Sequence, residues 1–299
     1  IIENERNFYE VLKLFVFSKI ITAAYIIISI DISSIGVMRI GIESLGEQWN
    51  ANNIGMSMAI SAFLAFAILK KEKSSRTRLF YYFLISLFGI ITLLTGSRKA
   101  LFVLLFAISL YAVLNARSHK YFKAMLILVA GITVLYLTMN VPILYDVMGS
   151  RIETMLNRLT GQGVVDRSTR LRMEMIDYGM HWFGQKPILG YGINNFRALY
   201  GDITGNYTYA HNNYVDLLVG VGALGTLIYY LGHLYIIKKS INRRTELSFF
   251  ALTSIVTILI IDVGLVSYDS FYVQFIICMC FTAIRLNENR QKTLNNPEL

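Results

Sequence analysis

The chain has 299 residues, of which 55% are hydrophobic and 16% are charged, and its formal net charge is +9. Soluble domains carry about 25% charged residues, so this composition excludes an ordinary soluble protein. Several windows longer than about 18 residues contain few charges, which is typical of transmembrane helices. The alternating segments of about ten residues that build a transmembrane β-barrel do not occur. The sequence therefore predicts an all-α, polytopic transmembrane helical bundle.

Eight apolar segments are predicted to span the membrane. They lie near residues 11–30, 53–69, 79–95, 100–114, 121–139, 213–237, 247–266 and 268–284.

The distribution of Lys and Arg in the short loops predicts the orientation, because these residues are enriched on the cytoplasmic side. The loops predicted to be cytoplasmic hold most of the basic residues, near 70–78, 117–123, 238–244 and 285–292. The short loops on the other side hold only Arg39, Arg98 and Lys99. Residues 140–212 are then predicted to form a large loop outside the cell.

The 140–212 loop is predicted to be partly helical. One helix begins at a capping box in residues 150–153 and ends at Gly161. A second begins near Ser168 and ends at Gly184, with Pro187 shortly after it. Five arginines concentrate positive charge in this part of the loop: Arg151, Arg158, Arg167, Arg170 and Arg172.

His211 stands at the end of the loop, directly before the next apolar segment. An unperturbed histidine has a pKa near about 6.5, so it can take a proton from a sugar hydroxyl at neutral pH. The alternative is a structural histidine that caps the following helix or lies at the lipid interface. His181 shares a polar helix stripe with Asp177, which favours a salt-bridging role for His181.

Arg39 and Arg98 lie in predicted outer turns. Arg39 precedes the polar stretch 50–55, and Arg98 belongs to the turn 96–100. Each arginine could anchor a helix end by snorkelling. Each could instead bind phosphate, because a guanidinium offers a planar fork of donors to oxyanions. Several arginines on one predicted membrane side, with few acidic partners, favour phosphate binding.

Other polar motifs are predicted to be structural. Asp262 and Asp269 flank the last outer turn, where polar capping is favoured over function. The G-x-G-x-x-G pattern at 220–225 lacks a preceding strand, so it indicates helix packing and not a dinucleotide site. Cys278 and Cys280 have no companion metal ligands nearby. The basic residues sort by membrane side, which argues against nucleic acid as a partner.

Four motifs in chain order resemble those of the O-antigen ligase and polysaccharide polymerase superfamily of bacterial membrane glycosyltransferases. They are Arg39 with residues 50–55, the Ser-Arg turn 96–101, Ser168-Thr169-Arg170 with residues 187–192 and Phe196, and residues 211–214 with Gly222 further on. The resemblance covers most of the chain. It implies a GT-C-like bundle with a large, partly helical extracellular loop, and a reaction that uses no metal and no cofactor.

The resemblance also implies roles for individual residues. His211 would be the catalytic base on the acceptor. The pyrophosphate leaving group would be bound by arginines, namely Arg39, Arg98, Arg170, Arg172 and Arg167.

The sequence and the resemblance together predict a polysaccharide polymerase of the bacterial cytoplasmic membrane, with its active site facing outside. Its donor would be a glycan on undecaprenyl pyrophosphate and its acceptor a second glycan or a lipid, with membrane lipid around it and a chain-length regulator as a further partner. A ligase to a lipid or protein acceptor, a transporter of polysaccharide intermediates and a non-catalytic assembly scaffold are the alternatives. Family members have more spans than the eight predicted here, and the first residue is Ile1, which predicts further helices upstream.

Overall fold

The computed structural model describes residues 2–30, 50–116, 131, 138–141, 145–150, 152–154 and 167–295. Its helices confirm the predicted all-α class. They are α1 (Glu5–Ser29), α2 (Ala51–Leu69), α3 (Ser75–Leu94), α4 (Arg98–Leu114), a π-helical turn (Tyr145–Gly149), α5 (Arg167–Gln185), α6 (Phe196–Thr204), α7 (Asn213–Ile241), α8 (Glu246–Asp262) and α9 (Phe271–Asn295).

Among the described residues, five helices are long and apolar enough to cross a membrane: α1, α2, α3, α7 and the Phe271–Gln291 part of α9. The predicted polytopic helical bundle is therefore confirmed. The apolar helices α4 and α8 are shorter, at 17 residues each. The predicted span near 121–139 lies almost wholly outside the described residues. So does most of the predicted loop helix 150–161.

The chain divides into two compact units, residues 1–163 and 164–299. In the first unit, α2 contacts α1, α3 and α4. This arrangement suits its sequence, because α2 contains several small, fully buried residues, such as Ala59, Ala62 and Ala65, which let neighbouring helices approach closely in a membrane. Two ion pairs join α1 to the end of α2: Lys71 with Glu5 at 2.8 Å, and Lys13 with Glu72 at 2.9 Å.

In the second unit, α7 contacts α8, α9 and α5. The side of α5 that carries Met175 and Trp182 packs on the first turns of α7, around Val215. Gly179 permits this approach, because a Cβ at that position would lie 2.3 Å from the Val215 side chain. The α5 helix therefore buries one apolar side against α7.

The short helix α6 was not predicted from the sequence. Phe196 and Tyr200 are buried against α5 and stack on each other with ring centroids 5.9 Å apart. The helix ends at Gly205, which has a φ of 73° and whose N–H donates to the Gly201 carbonyl. Both α5 and α6 thus rest on the amino-terminal part of α7.

The α7 helix differs from the uninterrupted span predicted at 213–237. It is broken at Gly222, where φ is 65° and ψ is −172°. Glycine adopts this conformation without the steric penalty of a Cβ. The break separates nine residues that pack on the loop helices from a longer apolar segment, residues 223–241.

Candidate functional site

His211 lies at the junction between the loop and α7, and its backbone is held on both sides. Its φ is 53°, in the left-handed region that few residues other than glycine adopt. The N–H of the preceding Ala210 donates to the buried carboxylate of Asp216 at 3.1 Å. The following Asn212 caps α7, since its side chain accepts the N–H of Val215 at 3.1 Å. These two bonds fix where the imidazole leaves the chain.

Asn213 connects the His211 segment to the turn between α8 and α9. Its side-chain oxygen accepts the N–H groups of Ser267 at 2.8 Å and Tyr268 at 3.0 Å. Its amide nitrogen donates to the hydroxyl of Tyr230 at 3.0 Å and to Asp262 at 3.3 Å. Asn213 is fully buried, so this amide uses its hydrogen-bonding capacity inside the protein.

Asp262 is the buried acceptor of the same network. Its carboxylate receives the hydroxyl of Tyr230 at 2.8 Å and a hydrogen bond from the hydroxyl of Ser267. A buried carboxylate is stable only when hydrogen bonds replace its hydration. The network thus gives Asp262 the structural role that the sequence favoured, although Asp262 links helices and does not simply cap one. Asp269 is exposed.

Tyr209 lies beside His211, and the charge of Arg172 acts on Tyr209. The rings of Tyr209 and His211 are 4.2 Å apart between centroids, with an angle of 56° between their planes. Burial raises the pKa of the Tyr209 hydroxyl, the positive charge of Arg172 opposes that rise, and the negative charge of Asp269 adds to it. Arg172 therefore brings positive charge from α5 to the ring beside His211.

The other predicted loop arginines lie on the same helix. Arg167 is the first residue of α5, and Arg170 is exposed one turn later. Successive residues of a helix are about 100° apart around its axis, so Arg170 and Arg172 leave α5 on different sides. Arg172 thus acts electrostatically on Tyr209, whereas Arg170 has an open surface position.

His181 lies on the exposed side of α5 near its end. Its Nε2 atom is 3.0 Å from the side-chain nitrogen of Gln185. The predicted role with Asp177 is therefore replaced by a contact one turn further along the helix. His181 is not among the residues that contact the His211 segment.

A backbone clasp joins the loop to the break in α7. We use this name for residues 187–192 paired with residues 219–224. The N–H groups of Tyr191 and Gly192 donate to the carbonyls of residues 219 and 220 at 2.8 and 2.7 Å. In return, the N–H groups of residues 223 and 224 donate to the carbonyls of residues 187 and 188 at 2.8 and 3.3 Å.

Two glycines allow the clasp to close. A Cβ at Gly222 would lie 2.3 Å from the carbonyl oxygen of Ile188. A Cβ at Gly190, where φ is 67°, would lie 2.5 Å from the carbonyl oxygen of Val219. The glycine pattern at 220–225 therefore serves the contact between a loop and a broken helix. The predicted packing of one straight helix on another is wrong for Gly222.

Arg98 belongs to the first unit, where it begins α4. The preceding Ser97 caps this helix and its hydroxyl donates to the side chain of Asn52 at 2.9 Å. Gly55 makes the approach possible, because a Cβ there would lie 2.7 Å from the Thr95 hydroxyl oxygen. The structure thus joins the 50–55 stretch to the Ser-Arg turn. Arg39 lies outside the described residues.

The sequence reasoning missed Asn213 and Asp216 as residues that hold the site. Both are polar and buried at the start of a helix that is otherwise apolar. Polar groups in such a helix are costly unless they are paired, and this signal could have identified them. Within the described part of the chain, no group of three or more His, Cys, Asp or Glu could hold a metal ion.

Residues 81–230 match a protein-family model described as O-antigen ligase. The chain belongs to the O-antigen ligase family. The match runs from α3 into α7 and includes Arg98, Arg167, Arg170, Arg172, His211 and Gly222. It begins after Arg39. The search of curated proteins finds no match.

Members of the O-antigen ligase family are membrane enzymes of the ligase or polymerase type that use lipid-linked glycans. The five apolar helices agree with this assignment. The chain is therefore a multi-pass membrane protein with glycosyltransferase-type activity. In this O-antigen ligase family member, the residues around His211 are joined to α7 and to the α8–α9 turn by hydrogen bonds.

Proposed function

We propose that the protein polymerises oligosaccharide units carried on undecaprenyl pyrophosphate, on the outer face of the cytoplasmic membrane. The observation that carries the proposal is the placement of His211. Its backbone is fixed by the bonds at Ala210 and Asn212, and it lies beside Tyr209 in the region of positive charge from Arg172. A fixed imidazole with positive charge nearby suits a reaction that releases an anionic leaving group.

In the proposed reaction, His211 acts as a general base. The acceptor hydroxyl gives its proton to the imidazole while its oxygen bonds to the anomeric carbon of the donor. The bond from that carbon to the pyrophosphate oxygen breaks, and the electron pair leaves with the lipid pyrophosphate. Because the acceptor attacks opposite the leaving group, the anomeric configuration is inverted.

The arginines have the second role in this proposal. Negative charge grows on the pyrophosphate as the glycosidic bond breaks, and guanidinium groups stabilise it without a metal ion. The proposed set is Arg39, Arg98, Arg167, Arg170 and Arg172. Arg98 supports it, because Arg98 lies at the start of α4 and not in the middle of an apolar helix. Arg172 supports it, because its charge acts on Tyr209, the ring beside His211.

A ligase uses the same chemistry with a different final acceptor and is the second candidate, because the family includes ligases. A transporter would place its charged groups near the bilayer midplane. The positions of His211 and Arg98 at helix ends favour the enzyme over the transporter.

The test compares His211→Ala with His181→Ala in the source organism lacking its own copy of the gene. Loss of a general base costs about 10²- to 10⁴-fold in rate, so His211→Ala should abolish the polysaccharide ladder while lipid-linked single units accumulate. His181→Ala should keep a substantial ladder, because His181 is exposed on α5 away from the His211 segment. Protein amounts are matched by immunoblot.

A normal ladder from His211→Ala at equal protein level contradicts the proposed base. Accumulation of long polymer on the lipid carrier, in place of single units, identifies the protein as a ligase. Equal loss from both variants at equal protein level also contradicts the proposal, because His211 would then have no role that the exposed His181 lacks.

A further inference from the structure

The segment between α5 and α6 exposes large apolar side chains. The exposed fractions are 67% for Ile188, 70% for Leu189 and 66% for Ile193. Three such residues within six positions form a patch that is unfavourable against water. The segment is nevertheless well ordered by the backbone clasp, so the exposure is a built feature of the loop.

The clasp places this apolar segment beside a helix that is long and apolar enough to cross the membrane. Ile188 accepts the N–H of Leu224, and the Cα of Ile193 lies 3.5 Å from the position that a Cβ on Gly220 would take. The apolar patch is therefore continuous with the outward face of α7. That face exposes Leu224, Leu227, Ile228, Leu231 and Leu234.

The length of α7 indicates how deep in the membrane the backbone clasp lies. Lys238 and Lys239 lie in its last turn, where basic residues mark a membrane surface. The hydrocarbon core is about 30 Å thick and a helix rises about 1.5 Å per residue, so about 20 residues cross it. Counting back from Lys238 reaches Leu218. The break at Gly222 thus lies at the opposite edge of the hydrocarbon or just inside it.

Backbone pairing at this depth agrees with a lipid environment. A break in a membrane helix frees N–H and C=O groups, and lipid offers them no hydrogen-bonding partners. Here the N–H groups of Ala223 and Leu224 are taken by the carbonyls of Pro187 and Ile188. The loop therefore accepts the hydrogen bonds that water would accept if the break in α7 were exposed to solvent.

We infer that residues 187–193 form a re-entrant segment that inserts Ile188, Leu189 and Ile193 into the acyl-chain region of the adjacent leaflet. Lys186 and Tyr191 mark its boundary, with the Lys186 ammonium 4.3 Å from the centre of the Tyr191 ring. Tyrosine rings favour the interface, and lysine side chains extend to the headgroups. The segment anchors α5 and α6, and with them the His211 junction, to the bilayer.

Spin-label accessibility in liposomes of phosphatidylethanolamine and phosphatidylglycerol tests this inference. The full-length protein carries Cys278→Ala and Cys280→Ala, and a single nitroxide is attached at one of three sites. Leu189→Cys is the test site, Leu227→Cys on α7 is the lipid-facing control, and Asn206→Cys in the exposed loop is the aqueous control. The measurement does not depend on transfer activity.

The expected result is that the label at Leu189 collides with oxygen more than with a water-soluble nickel complex, as at Leu227. Asn206 should show the opposite preference. Collision behaviour at Leu189 that matches Asn206 overturns the inference, as does a water-exposed label at Leu227. Dipolar broadening at Leu189 overturns it in another way, because it shows that a second copy of the chain covers the patch.

Discussion

At the scale of single residues, the site depends on side chains that never need to touch a substrate. Asp216 is buried and accepts two hydrogen bonds, one from the Ala210 N–H and one from the Tyr268 hydroxyl at 3.3 Å. The first bond fixes the residue before His211, and the second joins it to the α8–α9 turn. We assign Asp216 as a positioning residue for the imidazole.

Asp216→Asn tests this role, because an amide has one acceptor oxygen where the carboxylate has two. One buried donor loses its partner, which should lower the free energy of unfolding by about 1–3 kcal/mol. Displacement of His211 should lower the rate by about 10- to 100-fold. Thermal unfolding in detergent and the polysaccharide ladder measure the two effects.

The control is Asp202→Asn, because Asp202 is exposed on α6. It should change stability by less than about 0.5 kcal/mol. Equal activity of Asp216→Asn and the wild type would show that this bond does not position His211.

Residue types and motif order predicted His211 and the arginines as candidate site residues, yet they could not point to Asn213 and Asp216 as the residues that hold the His211 segment. The bonding partners of Asn213, at positions 262, 267 and 268, lie about fifty residues further along the chain. A pattern of neighbouring residues in the sequence does not indicate a contact over such a separation. Tyr209 was missed for a similar reason, because its closeness to His211 depends on the left-handed backbone at the junction.

At the scale of elements, the break in α7 holds the loop in place through the backbone clasp. Gly222→Ala should open the backbone clasp, because the new Cβ would meet the Ile188 carbonyl at 2.3 Å with φ at 65°. Strain of this kind costs about 1–3 kcal/mol. We expect faster proteolytic cleavage within 187–193 and a lower unfolding temperature in detergent.

Gly184→Ala is the matched control, since a Cβ at that position would have open space around it and no clasp bond would change. Its cleavage rate should equal that of the wild type. If Gly222→Ala resists the protease as well as Gly184→Ala does, the clasp is not required to order the loop.

Periodicity located α5 well, from a predicted start near Ser168 to an observed range of Arg167–Gln185. Apolar residues at helical spacing predicted that helix, namely Leu171, Met175, Tyr178 and Trp182. The nine residues of α6 are too few to give such a signal. The break at Gly222 could not be predicted, because glycine in an apolar segment is compatible with both a straight helix and a kink.

At the scale of the whole molecule, composition was sufficient to predict a membrane bundle, and the apolar helices confirm it. The orientation stays a prediction from the loop charges. In the proposed mechanism a polymerase and a ligase use the same donor, base and leaving group, so these residues cannot distinguish the two acceptors.

The orientation is tested by single cysteines at Asn206 and Ser74 in the chain with Cys278→Ala and Cys280→Ala. Both positions are exposed, so reactivity reports the membrane side and not burial. An impermeant thiol reagent should label Asn206→Cys in intact cells and Ser74→Cys only after permeabilisation. The reverse pattern places His211 in the cytoplasm and rules out the proposed outer-face mechanism.

The bonds of Asn213 also set the order in which the molecule matures during its synthesis. The ribosome makes residues 211–214 before it makes α8 and the turn that holds Ser267 and Tyr268. Chain growth runs at about 5–20 residues per second, so Asn213 waits several seconds for its partners at Ser267 and Tyr268. A nascent chain released before residue 268 lacks the bonds that join the His211 segment to the turn between α8 and α9. The junction at His211 is therefore joined to the α8–α9 turn only after α8 and that turn have been synthesised.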